Sequence, residues 1–149
     1  MSVPESEGRG PVVVALEGAR LNVAVNRPAK RNALSRETLA LLRETFEAHA
    51  AHPAVKVAVL SGAGDKSFAA GGDLNDLSGL RTREEAAEMS RQSRAALDAV
   101  RRFPVPVIAA LNGDALGGGA ELAVACDLRV AAAHARIGFV QGRLGITTA

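Results

Sequence analysis

Short runs of apolar and often β-branched residues recur along the chain, a pattern typical of buried strands. They lie at residues 11–17, 21–25, 55–60, 107–111 and 128–132. Gly18 and Ala19 separate the first two runs and predict a β-hairpin. Since these strands alternate with helical segments, the pattern indicates an α/β fold.

Two longer segments have apolar residues at helical spacing. The first is predicted to begin after Ser35, whose side chain suits a helix N-cap, and to end near Ala51. The second begins at Thr82, which forms a capping-box pattern with Glu85, and continues to about Arg102. Both helices are amphipathic, so each is expected to cover the sheet with its apolar face.

Composition places the chain among compact globular proteins, since 48% of its 149 residues are hydrophobic and 23% are charged. Residues 1–10 are polar and predict a flexible N-terminal tail, and residues 11–149 predict one folded core. A net charge of +2 and the lack of Trp and Tyr argue against nucleic acid as a partner. No apolar run approaches the length of a membrane span, so we expect no membrane partner.

The single cysteine, Cys126, excludes an internal disulfide, and no spacing of histidine, cysteine or acidic residues predicts a metal site. Cys126 lies in an apolar run and is expected to be a small core residue. This cysteine usage and the polar first residues predict a reducing, cytoplasmic location.

Three consecutive glycines open an apolar segment, residues 116–126 (LGGGAELAVAC), that carries one carboxylate, Glu121. The apolar residues after the glycines predict a buried helix, and glycines at a helix start expose backbone N–H groups to anions. A buried carboxylate is costly unless it is hydrogen-bonded or takes part in a reaction. The segment therefore predicts an anion-stabilising catalytic site. The structural alternative is that Glu121 pairs with Arg129 or Arg143.

A second loop, residues 67–74 (SFAAGGDL), also follows a predicted strand. Ligands of α/β proteins gather at the carboxyl ends of strands, so the two loops are expected to meet there. Two N–H groups that converge on one oxygen would hold a developing oxyanion, and one such donor is worth about 3–4 kcal/mol. Asp73 is expected to cap a helix or to brace this loop.

Three segments in order, residues 25–34 (VNRPAKRNAL), 67–74 and 115–122 (ALGGGAEL), resemble the crotonase superfamily, also called the enoyl-CoA hydratase/isomerase family. The similarity continues as far as Leu144 and Gly145. The resemblance implies an α/β fold with a crotonase-like spiral of ββα units, assembled into homo-oligomers that are trimers or hexamers. It also implies that the C-terminal helical region of the family is absent from this chain.

The resemblance further implies an acyl-CoA thioester as the ligand, with an enolate stabilised by the N–H groups of Ala70 and Gly118. Glu121 matches an acid/base glutamate of the hydratases. No separate cofactor is implied, since coenzyme A is part of the substrate. The residues that the resemblance places against the substrate are Arg31, Ala33, Ala70, Gly71, Gly72, Asp73, Leu74 and Gly118.

Gln141 departs from the family pattern, because hydratases have a second catalytic glutamate at this position. A glutamine has no proton to give or take at neutral pH, which weakens the case for hydration by two glutamates. Isomerisation of a double bond by Glu121 alone remains open. So do decarboxylation of a malonyl-type acyl-CoA and a non-catalytic acyl-CoA-binding remnant.

Overall fold

The computed structural model describes residues 10–148, so nearly all of the predicted N-terminal tail lies outside the described residues, as does Ala149. The strands are β1 Val12–Glu17, β2 Arg20–Val25, β3 Val57–Gly62, β4 Ser67–Ala69, β5 Val107–Leu111, β6 Asp114–Leu116, β7 Leu128–Ala131 and β8 Ile137–Gly138. The helices are α1 Arg36–His49, α2 Leu74–Ser78, α3 Arg83–Arg101 and α4 Gly118–Ala125. Two 3-10 turns lie at Pro28–Lys30 and Gln141–Leu144.

The strands form two sheets. A five-stranded sheet has the order β1-β2-β3-β5-β7, in which only β1 and β2 are antiparallel, and a three-stranded parallel sheet has the order β4-β6-β8. From β3 onwards, each strand of the large sheet is followed by a strand of the small sheet. Helices follow the pairs β3–β4 and β5–β6, and this repetition confirms the predicted α/β spiral of ββα units.

The longer elements lie where the apolar pattern predicts them. Ser35 accepts a hydrogen bond from the N–H of Thr38 at the start of α1, and Thr82 and Glu85 form both halves of the capping box of α3. The strand predicted at 55–60 begins later, because the N–H of Val55 closes a turn before β3. The short strands of the small sheet and helix α2 were not predicted, since two to five residues are too few to show a period.

Helices α1 and α3 pack against each other and contribute side chains to the main core. Phe46 of α1 is fully buried and meets Phe103 edge to face, with ring centroids 5.2 Å apart. Leu60 and Val107 on neighbouring parallel strands are also fully buried. This rigid base holds the carboxyl ends of β3 and β5, from which the short strands and the glycine loops extend.

Asp114 at the start of β6 anchors the small sheet. Its carboxylate accepts hydrogen bonds from the backbone N–H and the Nε of Arg136, both at 3.1 Å. The hydrogen bond from the Arg136 side chain is the main cause that holds the pKa of Asp114 below its usual value. The charged carboxylate therefore stabilises the fold at pH values above the pKa that Asp114 has in the unfolded chain. This stabilisation is lost as the pH falls through the lower pKa that Asp114 has in the folded chain.

We expect Asp114→Asn to lower the free energy of unfolding most at neutral pH, with the difference from wild type shrinking below about pH 4. Urea unfolding at several pH values measures this difference. Asp65→Asn, the same change on an exposed loop residue, is the control for net charge. A difference between Asp114→Asn and wild type that stays constant down to pH 2 would contradict the role of the ion pair.

Candidate active site

The loop after β4 begins with Ala70, whose N–H is already used. It donates a hydrogen bond of 3.1 Å to the carbonyl of Arg31. Ala70 was predicted to supply one oxyanion donor, but in this structure its N–H points at the Arg31 segment. The backbone turns at the next residue, Gly71, whose φ of 109° strongly favours glycine.

Gly72 has the N–H group that this turn leaves available. Leu34 pairs with Gly72 in a parallel bridge, in which the Leu34 N–H donates to the Gly71 carbonyl and the Asp73 N–H donates to the Leu34 carbonyl. Neighbouring residues of an extended segment direct their N–H groups to opposite edges. The Gly72 N–H therefore lies on the edge away from Leu34, and within residues 10–148 it donates no hydrogen bond.

The second glycine loop delivers Gly118 as the first residue of α4. Gly117 before it has a φ of 53°, which again favours glycine. The first N–H groups of a helix have no carbonyl partner within that helix, and they carry its positive dipole end. The Gly118 N–H is thus a backbone donor at the helix start, and its predicted role as an oxyanion donor stays a prediction.

The two loops lie close to each other. A Cβ added to Gly118 would lie 3.7 Å from the nitrogen of Gly72 and 3.8 Å from Oε2 of Glu121. A Cβ added to Gly71 would lie 3.9 Å from the nitrogen of Gly118. At Gly118 a carbon atom would therefore fit at ordinary contact distance, next to the backbone nitrogen of Gly72 and the carboxylate of Glu121.

Glu121 lies one turn into α4 and is half-buried rather than fully buried. Its Oε1 accepts a hydrogen bond of 3.0 Å from Nε2 of Gln141. Arg129, one of its two predicted structural partners, instead donates to the carbonyls of Ala123 and Cys126. Glu121 and Gln141 were predicted to belong to one site, and the structure brings them together.

A cavity of about 410 Å³ opens in front of these groups. Gly72, Gly118, Glu121 and Gln141 lie on one side of it. The rest of its lining is mostly apolar, from the three helices α1, α2 and α3, the loops beside them and the last described residues: Leu34, Leu39, Leu77, Leu80, Ala86, Met89, Ser90, Ser93, Leu97, Ile146, Thr147 and Thr148. The polar groups thus meet at the wall of a chamber suited to an aliphatic group.

The remaining predicted substrate residues lie outside the cavity lining. Arg31 is exposed with a φ of 51°, and Leu74 is 71% exposed at the start of α2. Ala33 is half-buried, and its carbonyl accepts a hydrogen bond from Arg27. Asp73 is buried and caps α2 through the Asn75 N–H, as predicted. Contact of these residues with a ligand stays a prediction.

Two residues of the loop before α1 have roles that the sequence reasoning missed. Asn32 is 1% exposed with a φ of 56°, and its amide donates to the carbonyls of Ala63 and Ser67. Arg27 forms an ion pair with Asp73. The signal for Asn32 was its residue type, since asparagine tolerates a positive φ better than other side chains in a loop.

Cys126 lies at the end of α4 and is 4% exposed. Burial raises the pKa of its thiol to about 12, so the thiolate required of a nucleophile does not form at neutral pH. This confirms its predicted role as a core residue. Among residues 10–148, no cluster of three or more metal-ligating side chains is found, and no helix has the length and apolar character of a membrane span.

Comparison with known proteins points to one family. The family described as Enoyl-CoA hydratase/isomerase matches residues 17–149. The chain is 42% identical to a crotonyl-CoA hydratase of Syntrophomonas wolfei over 123 residues, covering 83% of this chain and 47% of that protein. It is 37% identical to a short-chain-enoyl-CoA hydratase of Clostridium acetobutylicum, covering 91% of this chain and 52% of that protein.

A solved structure has the same fold. The crystal structure of an enoyl-CoA hydratase/carnithine racemase from Magnetospirillum magneticum superposes with a TM-score of 0.90 at 38% identity, covering 95% of this chain and 54% of that one. The chain spans about half the length of the curated relatives it matches. From its sequence match, its spiral fold and its paired glycine loops, the chain belongs to the enoyl-CoA hydratase/isomerase family.

Proposed function

We propose that this chain binds an acyl-CoA thioester and stabilises its enolate with the N–H groups of Gly72 and Gly118, in an enzyme of the enoyl-CoA hydratase/isomerase type. Gly72 takes the place first assigned to Ala70. The observation that carries the proposal is the convergence of two unused backbone donors and Glu121 at the wall of one apolar cavity. The relatives are named as enoyl-CoA or crotonyl-CoA hydratases, which supports the same activity. These names do not favour decarboxylation or a non-catalytic acyl-CoA binder.

The chemistry follows from the charge that develops in the reaction. Removal of a proton from an acyl thioester, or addition to its double bond, places negative charge on the thioester oxygen. Two fixed N–H dipoles stabilise that oxygen without reorganisation, and the dipole of α4 adds to their effect. Glu121 then accepts or returns the proton at carbon, and the apolar lining holds the acyl chain.

Gln141 determines how the proton is moved. Its amide donates to Glu121 and keeps the carboxylate in place, but it cannot exchange a proton at neutral pH. We therefore propose that Glu121 performs the proton transfers alone. Isomerisation of an enoyl-CoA needs one base that takes a proton from one carbon and returns it to another, which suits a single carboxylate.

We further propose a cytoplasmic homo-oligomer, a trimer or hexamer, that needs no cofactor beyond the coenzyme A of its substrate. Support for association comes from apolar side chains exposed on α4 and β7. Val124 of α4 is more than half exposed, and so are Leu128 and Val130 of β7, which lies at the edge of the large sheet. Such a patch at an unpaired strand edge is typical of a surface that another chain covers.

Replacing Glu121 by glutamine is expected to lower turnover of enoyl-CoA substrates by about a hundredfold or more, since it removes the only proposed proton carrier. Hydration of crotonyl-CoA is followed by the mass of the product, and isomerisation of 3-enoyl-CoA, which leaves the mass unchanged, by the ultraviolet absorption of the conjugated 2-enoyl thioester. Glu44→Gln, the same change on an exposed residue of α1, is expected to retain wild-type turnover. Full activity of Glu121→Gln would contradict the proposed function.

A further inference from the structure

We propose that Arg27 and Asp73 form a clamp that positions the Gly72 N–H for the oxyanion. This inference rests on the proposed function and deepens it by assigning two positioning residues. Neither side chain needs to touch the ligand, because both act through the backbone of the residue that precedes Asp73.

The clamp consists of two well-formed contacts from one guanidinium. Nη2 of Arg27 lies 2.8 Å from Oδ2 of Asp73, and Nη1 donates a hydrogen bond of 2.6 Å to the carbonyl of Ala33. The side chains of Arg27 and Asp73 are only 22% and 10% exposed, so water screens their attraction less than that of a surface pair. One side chain thus ties the loop before α1 to the loop after β4.

Asp73 transmits this restraint to Gly72. Its backbone N–H donates to the carbonyl of Leu34, and its Oδ1 accepts from the N–H of Asn75 at 2.9 Å. Gly72 has no side chain to restrict its own backbone, and glycine is the residue with the widest conformational freedom. The peptide plane that carries the Gly72 N–H includes the Gly71 carbonyl, which accepts from the Leu34 N–H on one side of Gly72. On the other side Asp73 is fixed at three points, so it restrains the dihedral angles by which Gly72 could turn this plane.

Arg27 is in turn anchored to the scaffold. Its backbone N–H donates to Oδ1 of the buried Asn32, whose Nδ2 donates to the carbonyl of Ser67 at 2.7 Å on strand β4. The clamp thus extends from the small sheet through Asn32 and Arg27 to Asp73. Arg27 lowers the pKa of Asp73, which keeps this carboxylate charged and paired at neutral pH.

The clamp is tested by the affinity of the 149-residue chain for two acyl-CoA probes, measured by calorimetry. Acetoacetyl-CoA enolises readily and places charge on its oxygen, whereas butyryl-CoA binds as a neutral thioester. We expect Asp73→Asn and Arg27→Lys to weaken acetoacetyl-CoA binding about tenfold and butyryl-CoA binding by less than about twofold, since a displaced donor costs most when the bound oxygen carries charge.

The substitutions separate positioning from folding. Asparagine is as good an N-cap as aspartate, so Asp73→Asn keeps the start of α2, and lysine keeps the charge but cannot reach both partners of Arg27. Asp76→Asn, the same change on α2 at a residue that accepts from the Arg36 N–H, is the control and is expected to bind both probes like wild type.

A wild-type chain with no preference for acetoacetyl-CoA would overturn the proposed function, and the clamp with it. A wild-type preference that Asp73→Asn and Arg27→Lys both retain would overturn the clamp alone. Equal weakening of the two probes would also overturn it, because a loss of folded protein reduces both affinities together. Should one variant fail to fold, the other decides the outcome.

Discussion

Replacing Gly119 by alanine is expected to separate helix α4 from strand β4 and to abolish the site. A Cβ at this position would lie 1.9 Å from the carbonyl oxygen of Ala69 and 2.9 Å from its Cβ. Both atoms belong to Ala69, which lies in the short buried strand β4. Neither can move aside as the far end of a flexible side chain would. We expect the free energy of unfolding to fall by about 3 kcal/mol or more, the upper range for overpacking.

Urea unfolding and turnover of an enoyl-CoA measure the two consequences. Gly118→Ala is the matched control, because it adds the same methyl group one residue earlier where the closest atoms lie at 3.7 Å. A Gly119→Ala variant as stable as Gly118→Ala would contradict the close contact between α4 and β4. That contact is what brings Gly118 to the loop of Gly72.

Replacing Gly118 by proline is expected to lower kcat by about a hundredfold to a thousandfold, or about 3–4 kcal/mol in barrier, the usual cost of one oxyanion donor. Gly118 is the first residue of α4, a position where helices accept proline because its missing N–H has no partner in the helix. The substitution therefore removes the donor while the helix remains.

Comparison with Gly118→Ala isolates this effect. Proline and alanine both place a Cβ at the same point, 3.7 Å from the Gly72 nitrogen, so any steric effect of that atom is common to the two variants. Only proline removes the N–H, and its ring carbon Cδ takes the place of the amide hydrogen. Equal turnover of Gly118→Pro and Gly118→Ala, with both folded by circular dichroism, would contradict the role of Gly118 as a donor.

The sequence predicted the elements whose pattern is local. The hairpin needs only two alternating runs and a glycine turn, and the caps of α1 and α3 depend on Ser35, Thr82 and Glu85, which act within one helical turn. The glycines at 117–119 likewise identified the start of α4 and the carboxylate beside it. Each of these features is fixed by neighbours in sequence.

The choice between Ala70 and Gly72 could not be predicted in this way. Which N–H remains available depends on the pairing of Leu34 with Gly72 and on the bond from Ala70 to Arg31, contacts between segments distant in the chain. The turn of the backbone at Gly71 could not be predicted from the sequence either, since a pair of glycines permits many conformations. Motif similarity identified the loop, and tertiary contacts determine which of its N–H groups stays available.

The most direct test of the account is the amide NMR spectrum of the ¹⁵N-labelled chain as acetoacetyl-CoA is added. We predict large downfield shifts of the amide protons of Gly72 and Gly118, because both would donate to the enolate oxygen, and little change at Ala70, whose N–H stays bonded to Arg31. A large shift at Ala70 with Gly72 unchanged would contradict the assignment of the oxyanion donors.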